Sequence, residues 1–193
     1  RPGTTVWAKA ALIGVRVRSS GTTLAFQEDT RDAEGILNRQ YRLIFMPGLV
    51  KGDDAGVTAP DFHPPAEIMA GTPLHSVTYR TDPDQTLRYA AASGDWSRFH
   101  IDDDFARSLG QPGIMLQGLC TMAIVGRAVV ETCCGGDPAR LRRFAVRFSR
   151  PVRPGESLTI EMWNAGEPNA YAVEARIASG DKVIRLGRAE VSP

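Results

Sequence analysis

The stretch from Met115 to Cys134, MLQGLCTMAIVGRAVVETCC, is apolar around nearly its whole circumference, broken only by Gln117, Arg127 and Glu131. An ordinary surface helix keeps a polar outer arc, and this segment has almost none. It reads as a helix wrapped by other structure and forming the core of its half of the chain. The wrapping follows directly. ARLRRFAVRFSRPV, ESLTIEMWN, AYAVEARIA and KVIRLGRAEV are strand-like runs joined by turns at Pro154-Gly155, Ala165-Gly166 and Gly180-Asp181. A buried helix followed by an antiparallel meander implies an α+β fold in which a sheet curls around the helix.

The first part of the chain repeats the sheet without the helix. TVWAKAALIGVRVRSS, TTLAFQED and NRQYRLIFM interleave Val, Tyr, Ile and Phe with polar residues, with turns at Ser20-Gly21 and Glu34-Gly35. Residues 47–74 then concentrate Pro and Gly without periodicity, as a connection over a surface does. We therefore expect a partial unit at 1–46, this connection, and a second unit at 75–193. A chain of 193 residues can bury a core in one domain or in two fused small ones.

Within the second unit, HSVTYRT reads as a strand and DPDQTLRYAAAS as a helix, capped by Asp82 with Pro83 at its first position and Gly94 beyond its end. DDDFARSLG is a second short helix, with Asp102 as its cap, acids at the positive end of its dipole and Gly110 as its stop. Between them lies SGDWSRFHI.

Several functions are disfavoured. The net charge is +1 and the 23 basic residues are scattered, so the electrostatic stripe of a nucleic-acid binder is absent. Cys120, Cys133 and Cys134 are odd in number and lack metal-ligand spacing, which fits reduced thiols and an intracellular, cytoplasmic setting. No apolar run is long enough for a membrane span and no signal-peptide pattern opens the chain. The acids at 102–104 have no calcium-loop spacing, so no metal is expected. Ser93, Asp95 and His100 share the letters of a hydrolase triad but lack the G-x-S-x-G elbow. His63 and His75 fall in or beside the connection and read as solvated or capping. Trp96 reads as a ring that packs the loop into shape. The arginines at 140, 142, 143, 147, 150 and 153 read chiefly as a wet strand face, with the phosphates of coenzyme A as the alternative contact.

Taken alone, Asp95 and His100 could be loop residues leading into a helix. The order of elements brings their loop close to the start of the apolar helix at LQGLC, where amide groups face outward and can hold a developing oxyanion. A carboxylate and an imidazole can hold one water between them, which is what adding water across an activated double bond requires.

The stretch YAAASGDWSRFHIDDDFARSLGQPGIMLQGLCTMAIVGRAVV, with RFAVRFSRPVRPGESLTIEMWNAG, resembles the MaoC-like, (R)-specific enoyl-CoA hydratase family, in particular the C-terminal half of its double hot-dog members. The resemblance covers residues 73–193 well and 1–46 weakly, as a shortened N-terminal hot-dog unit. It implies that Asp95 and His100 are the catalytic acid/base pair and that the Gly118 amide binds the thioester oxygen, with Ser97 and Gln117 at substrate-binding positions. It also implies a homodimer, no cofactor, and a 2-enoyl or (R)-3-hydroxyacyl thioester of coenzyme A as substrate. A carrier-protein dehydratase and a non-catalytic acyl-binding subunit are the alternatives. The family signature reads S-G-D-x-N-P-x-H followed by His-Gly, so Ser97, Arg98 and Gln117 depart from it.

Overall fold

A computed structural model describes residues 3–193. The chain forms two compact units, one ending at Asp61 and the other running from Phe62 to Pro193. The division falls inside the expected connection, so the first unit extends past residue 46.

The first unit is an antiparallel sheet of β1 (Trp7–Arg18), β2 (Gly21–Arg31), β3 (Ile36–Pro47) and β4 (Ala55–Gly56), in the order β3-β2-β1-β4. The first three strands lie where alternation placed them. β4 lies within the stretch that shows no periodicity in the sequence, since only two of its residues pair and neither alternates. Two glycines permit that pairing: Gly56 has φ +66°, and a Cβ on Gly14 would lie 1.9 Å from the Val57 carbonyl oxygen.

The second unit contains β5 (His75–Arg80), α1 (Gln85–Ser93), α2 (Arg98–Ile101), α3 (Asp103–Ser108), α4 (Gly118–Cys133), β6 (Leu141–Phe148), β7 (Ser157–Asn164), β8 (Ala170–Arg176) and β9 (Lys182–Val191). Its sheet order is β5-β7-β8-β9-β6. The four C-terminal strands are present, but they do not form a simple meander. β6 passes to the far edge to pair with β9, and β5 takes the place beside β7. The crossing segment between β6 and β7 carries Pro151 and Pro154, which disfavour a tight hairpin in ladder register.

α4 lies against this sheet. Cys120, Val125, Ala128, Val129 and Cys133 pack with Leu158, Ile160, Met162, Val173, Ala175, Ile184 and Ala189 as one buried cluster. A fully buried Leu, Ile or Met contributes roughly 1.5–3 kcal/mol. The wrapping is less complete than the sequence implied. Leu119, Ala123, Arg127 and Glu131, spaced four apart, form an exposed stripe, with Leu119 at 61%. The three cysteines are unbonded and buried. Among the described residues, no helix is long and apolar enough to cross a membrane.

Candidate active site

α1 begins two residues later than the capping pattern implied. Asp84, not Asp82, holds the N-cap position and makes no side-chain cap, while the Asp82 carboxylate pairs with Arg88 and its carbonyl oxygen accepts the Gln85 N–H at 3.1 Å. Its end matches the reading: Gly94 adopts φ +78° and donates its N–H to Ala90.

The loop that follows is folded on itself. Ser93 Oγ donates to the Tyr89 carbonyl and accepts the Asp95 N–H at 3.2 Å, and Asp95 Oδ1 accepts the Ser97 N–H at 3.3 Å. Ser97 sits at the N-cap of the short helix α2, unforeseen in the sequence, and its carbonyl oxygen receives the His100 N–H. One turn thus carries the imidazole from the exposed Asp95 into a buried position. His100 is 8% exposed, while Trp96, expected to pack, is 52% exposed.

The His100 ring is held in a definite state. Its Nδ1 lies 2.8 Å from the Met115 carbonyl oxygen. A carbonyl can only accept, so Nδ1 carries the hydrogen, and in the neutral ring Nε2 presents its lone pair. Phe99 stacks obliquely on the ring at 4.3 Å between centroids.

The segment before α4 is pinned residue by residue. The Ile114 N–H donates to Asp103 Oδ1 at 3.0 Å, the Met115 carbonyl receives His100, and the Leu116 N–H donates to the Val152 carbonyl at 2.8 Å. Gln117 Nε2 donates to the carbonyl oxygens of Thr86, at 3.1 Å, and Asp95, at 3.4 Å. The loop bearing the two candidate groups is therefore tied at both Asp95 and His100 to residues 115–117. Gln117, expected beside substrate, is 1% exposed with its amide nitrogen committed to main chain, and its Oε1 is buried without a partner.

Gly118 opens α4. The first helical bond belongs to Thr121, whose N–H reaches the Gln117 carbonyl at 3.1 Å, so the amides of Gly118, Leu119 and Cys120 precede the ladder. Gly118 is exposed, and the Phe148 ring of β6 lies across it.

The acids at 102–104 serve the scaffold. Asp102 caps α3 through the Phe105 N–H at 2.9 Å and pairs with Arg98, and Asp103 pairs with Arg107 while holding Ile114. The Arg98 and Arg107 hydrogen bonds, respectively, hold these two carboxyls below the usual range. Among the described residues, no group of three or more His, Cys, Asp or Glu side chains is arranged to hold a metal. Tyr89 is pushed up by burial, with Cys120 and Asp95 adding to the effect.

Sequence reasoning missed the Met115 and Thr86 carbonyls and the Phe148 ring. Main-chain acceptors leave no side-chain signature. Gly113 was the one readable sign, since its φ of +146° and a would-be Cβ 2.6 Å from Asp103 Oδ1 mark the close approach that sets up Ile114.

Residues 66–183 match the model of the MaoC like domain. The chain is 34% identical over 125 residues to the peroxisomal enoyl-CoA hydratase 2 of Arabidopsis thaliana, covering 65% of this chain and 40% of that protein. It is 38% identical over 123 residues to 3-hydroxyacyl-thioester dehydratase Y of Mycobacterium tuberculosis, covering 63% and 39%. Among solved structures, a MaoC-like dehydratase of Phytophthora capsici superposes with a TM-score of 0.90 at 28% identity, over 98% of this chain and 65% of that one. The chain thus spans about two fifths of these curated relatives. With the match running from before β5 into β9 and enclosing every residue of the site, this chain belongs to the MaoC-like domain family.

Proposed function

We propose that the protein hydrates 2-enoyl thioesters to (R)-3-hydroxyacyl thioesters, and catalyses the reverse dehydration, with coenzyme A as the carrier. The observation that carries this reading is the double tether of one loop to the start of α4. It ties the Asp95 carbonyl and a His100 of defined tautomer to Gln117 and Met115, directly before Gly118, whose amide precedes the ladder of α4. The Asp95 carboxylate and His100 Nε2 are both acceptors for water, so each can take one of its O–H bonds and aim the oxygen at C3.

One water O–H breaks, its proton passing to Asp95 or to His100 Nε2, as the water oxygen bonds C3 and the C2–C3 π electrons move toward the thioester oxygen. The Gly118 N–H stabilises that oxygen, and as the electron pair returns to form the C2–H bond, C2 takes the proton that Asp95 or His100 received from the water.

The names of the Arabidopsis and Mycobacterium relatives favour a thioester hydro-lyase. We further propose that the two units form a double hot-dog and that the protein pairs as a homodimer. Three unbonded cysteines fit a reducing compartment, for which we propose the cytoplasm.

The test is hydration of crotonyl-CoA, followed by loss of enoyl absorbance. Asp95→Asn and His100→Ala should each lower kcat/KM by a factor on the order of 10²–10⁴ with an unchanged circular dichroism spectrum. Near-parental turnover by either variant rejects the mechanism. Turnover of an acyl-carrier substrate alone moves the assignment to a carrier-protein dehydratase, and binding without turnover to an acyl-binding subunit.

A further inference from the structure

Several arginines on β6, β8 and β9 and in the turn before β6 are committed to protein partners. Arg143 pairs with Glu190 at 2.6 Å, Arg188 with Glu167 and Glu190, and Arg176 with Glu161. Arg140 donates to the carbonyls of Cys134 and Ser192. By contrast, Arg147 and Arg185 stand directly opposite each other in the β6–β9 register and have no acidic partner among the described residues. Like charges in directly opposed positions destabilise a ladder.

The backbone departs from regularity to make this pairing. Leu186 adopts φ 50°, uncommon for a residue with a branched side chain, and the β6–β9 register shifts between Ala145 and Arg147. Gly187 completes the bulge, since a Cβ there would lie 2.6 Å from the Val173 carbonyl oxygen. An open pocket of about 240 Å³ lies beside the pair, lined by Ser149, Arg150, Gly180, Asp181, Lys182 and Arg185.

Within that lining, Lys182 is engaged by Glu174 at 2.7 Å, and Asp181 accepts from the Ser179 hydroxyl. Arg150 and Arg185 are uncommitted, and Arg147, opposite Arg185 in the ladder, adds a third guanidinium without an acidic partner among the described residues. The cluster follows directly from Phe148, whose ring lies against Gly118. Arg150 is two residues on, so its Cα lies within roughly 7 Å of that of Phe148. A pantetheine arm whose thioester sits at Gly118 is long enough to reach past it.

We propose that Arg147, Arg150 and Arg185 bind the phosphates of the nucleotide end of coenzyme A. This inference rests on the thioester reading above and adds the part of the substrate that reading leaves unassigned. Three free guanidinium groups exceed what the single phosphodiester of a carrier-protein arm can neutralise. They match a diphosphate together with a 3′-phosphate, and guanidinium forks suit phosphate oxygens.

The experiment compares crotonyl-CoA with crotonyl-phosphopantetheine and crotonyl-pantetheine, which keep one phosphate and none. For Arg147→Gln, Arg150→Gln and Arg185→Gln, KM for crotonyl-CoA should rise about tenfold each with kcat unchanged, and KM for crotonyl-pantetheine should not move. Arg142→Gln, an exposed arginine of the same strand, should leave all three substrates unaffected. Removing Arg185 should also leave the melting temperature level or raise it, because it relieves a repulsion. Equal losses on crotonyl-CoA and crotonyl-pantetheine overturn the proposal, and an equal rise for crotonyl-phosphopantetheine and crotonyl-CoA overturns its nucleotide part. Titration with 3′,5′-ADP separates this idea from the hydratase reading. Binding that weakens in Arg185→Gln supports the phosphate site even if no ester is turned over, and no binding to the parent protein rejects it.

Discussion

Gly118 occupies a position where the backbone does not require glycine. It lacks a positive φ, and an added Cβ would meet three Phe148 ring carbons at 3.5–3.7 Å, an ordinary contact. Alanine is moreover the better helix former. Gly118→Ala should therefore fold with an equal or higher melting temperature, yet lower kcat/KM on crotonyl-CoA about tenfold or more, because its methyl stands beside the amide under the ring. Unchanged kinetics would show that this amide does not meet the thioester oxygen. At this scale the letters were informative: the Asp95 carboxylate and the His100 imidazole are the residue types proton transfer uses, and Gly118 is marked by the family resemblance. His100's tautomer was invisible, since it depends on a carbonyl 15 residues away.

Among the elements, α3 and the segment before α4 hold the site's frame. Asp102 caps the helix and Asp103 pins Ile114, and both carboxyls lie below their ordinary value of 3.8, through Arg98 and Arg107 respectively. A carboxyl lowered in the folded state contributes stability above its unfolded value and loses it as pH falls through the folded one. Thermal stability should accordingly hold from pH 7 to about 5 and decline below about pH 4. Asp102→Asn and Asp103→Asn should flatten that decline in calorimetric scans. An identical acid limb in both variants would place the acid sensitivity elsewhere. Asp102 was legible as a cap from its neighbours in sequence, whereas the reach of Asp103 to Ile114 across 11 residues was not.

For the whole molecule, β3 and β4 border the first sheet and β5 and β6 the second. Unpaired strand edges are the surfaces through which such sheets extend into a partner. Sedimentation at micromolar concentration should yield a homodimer, and a monomer at that concentration would reject the pairing.

Local pattern determined most of the elements, because alternation, glycine stops and acidic caps act over a few residues. The strands β1–β3 and β5–β9 and the helices α1, α3 and α4 could be read that way, whereas the pairing of Asp95 with His100 came from the order of the elements and the family resemblance. Strand order could not. Nothing within β6 records that it pairs with β9 rather than β7, since a strand's pattern specifies which face is buried but not its neighbour. The same holds for the exposed stripe on α4, for the burial of Gln117 under Thr86 and Asp95, and for the opposition of Arg147 and Arg185. Each is a contact between segments far apart in the chain, and only packing in three dimensions decides which distant groups meet.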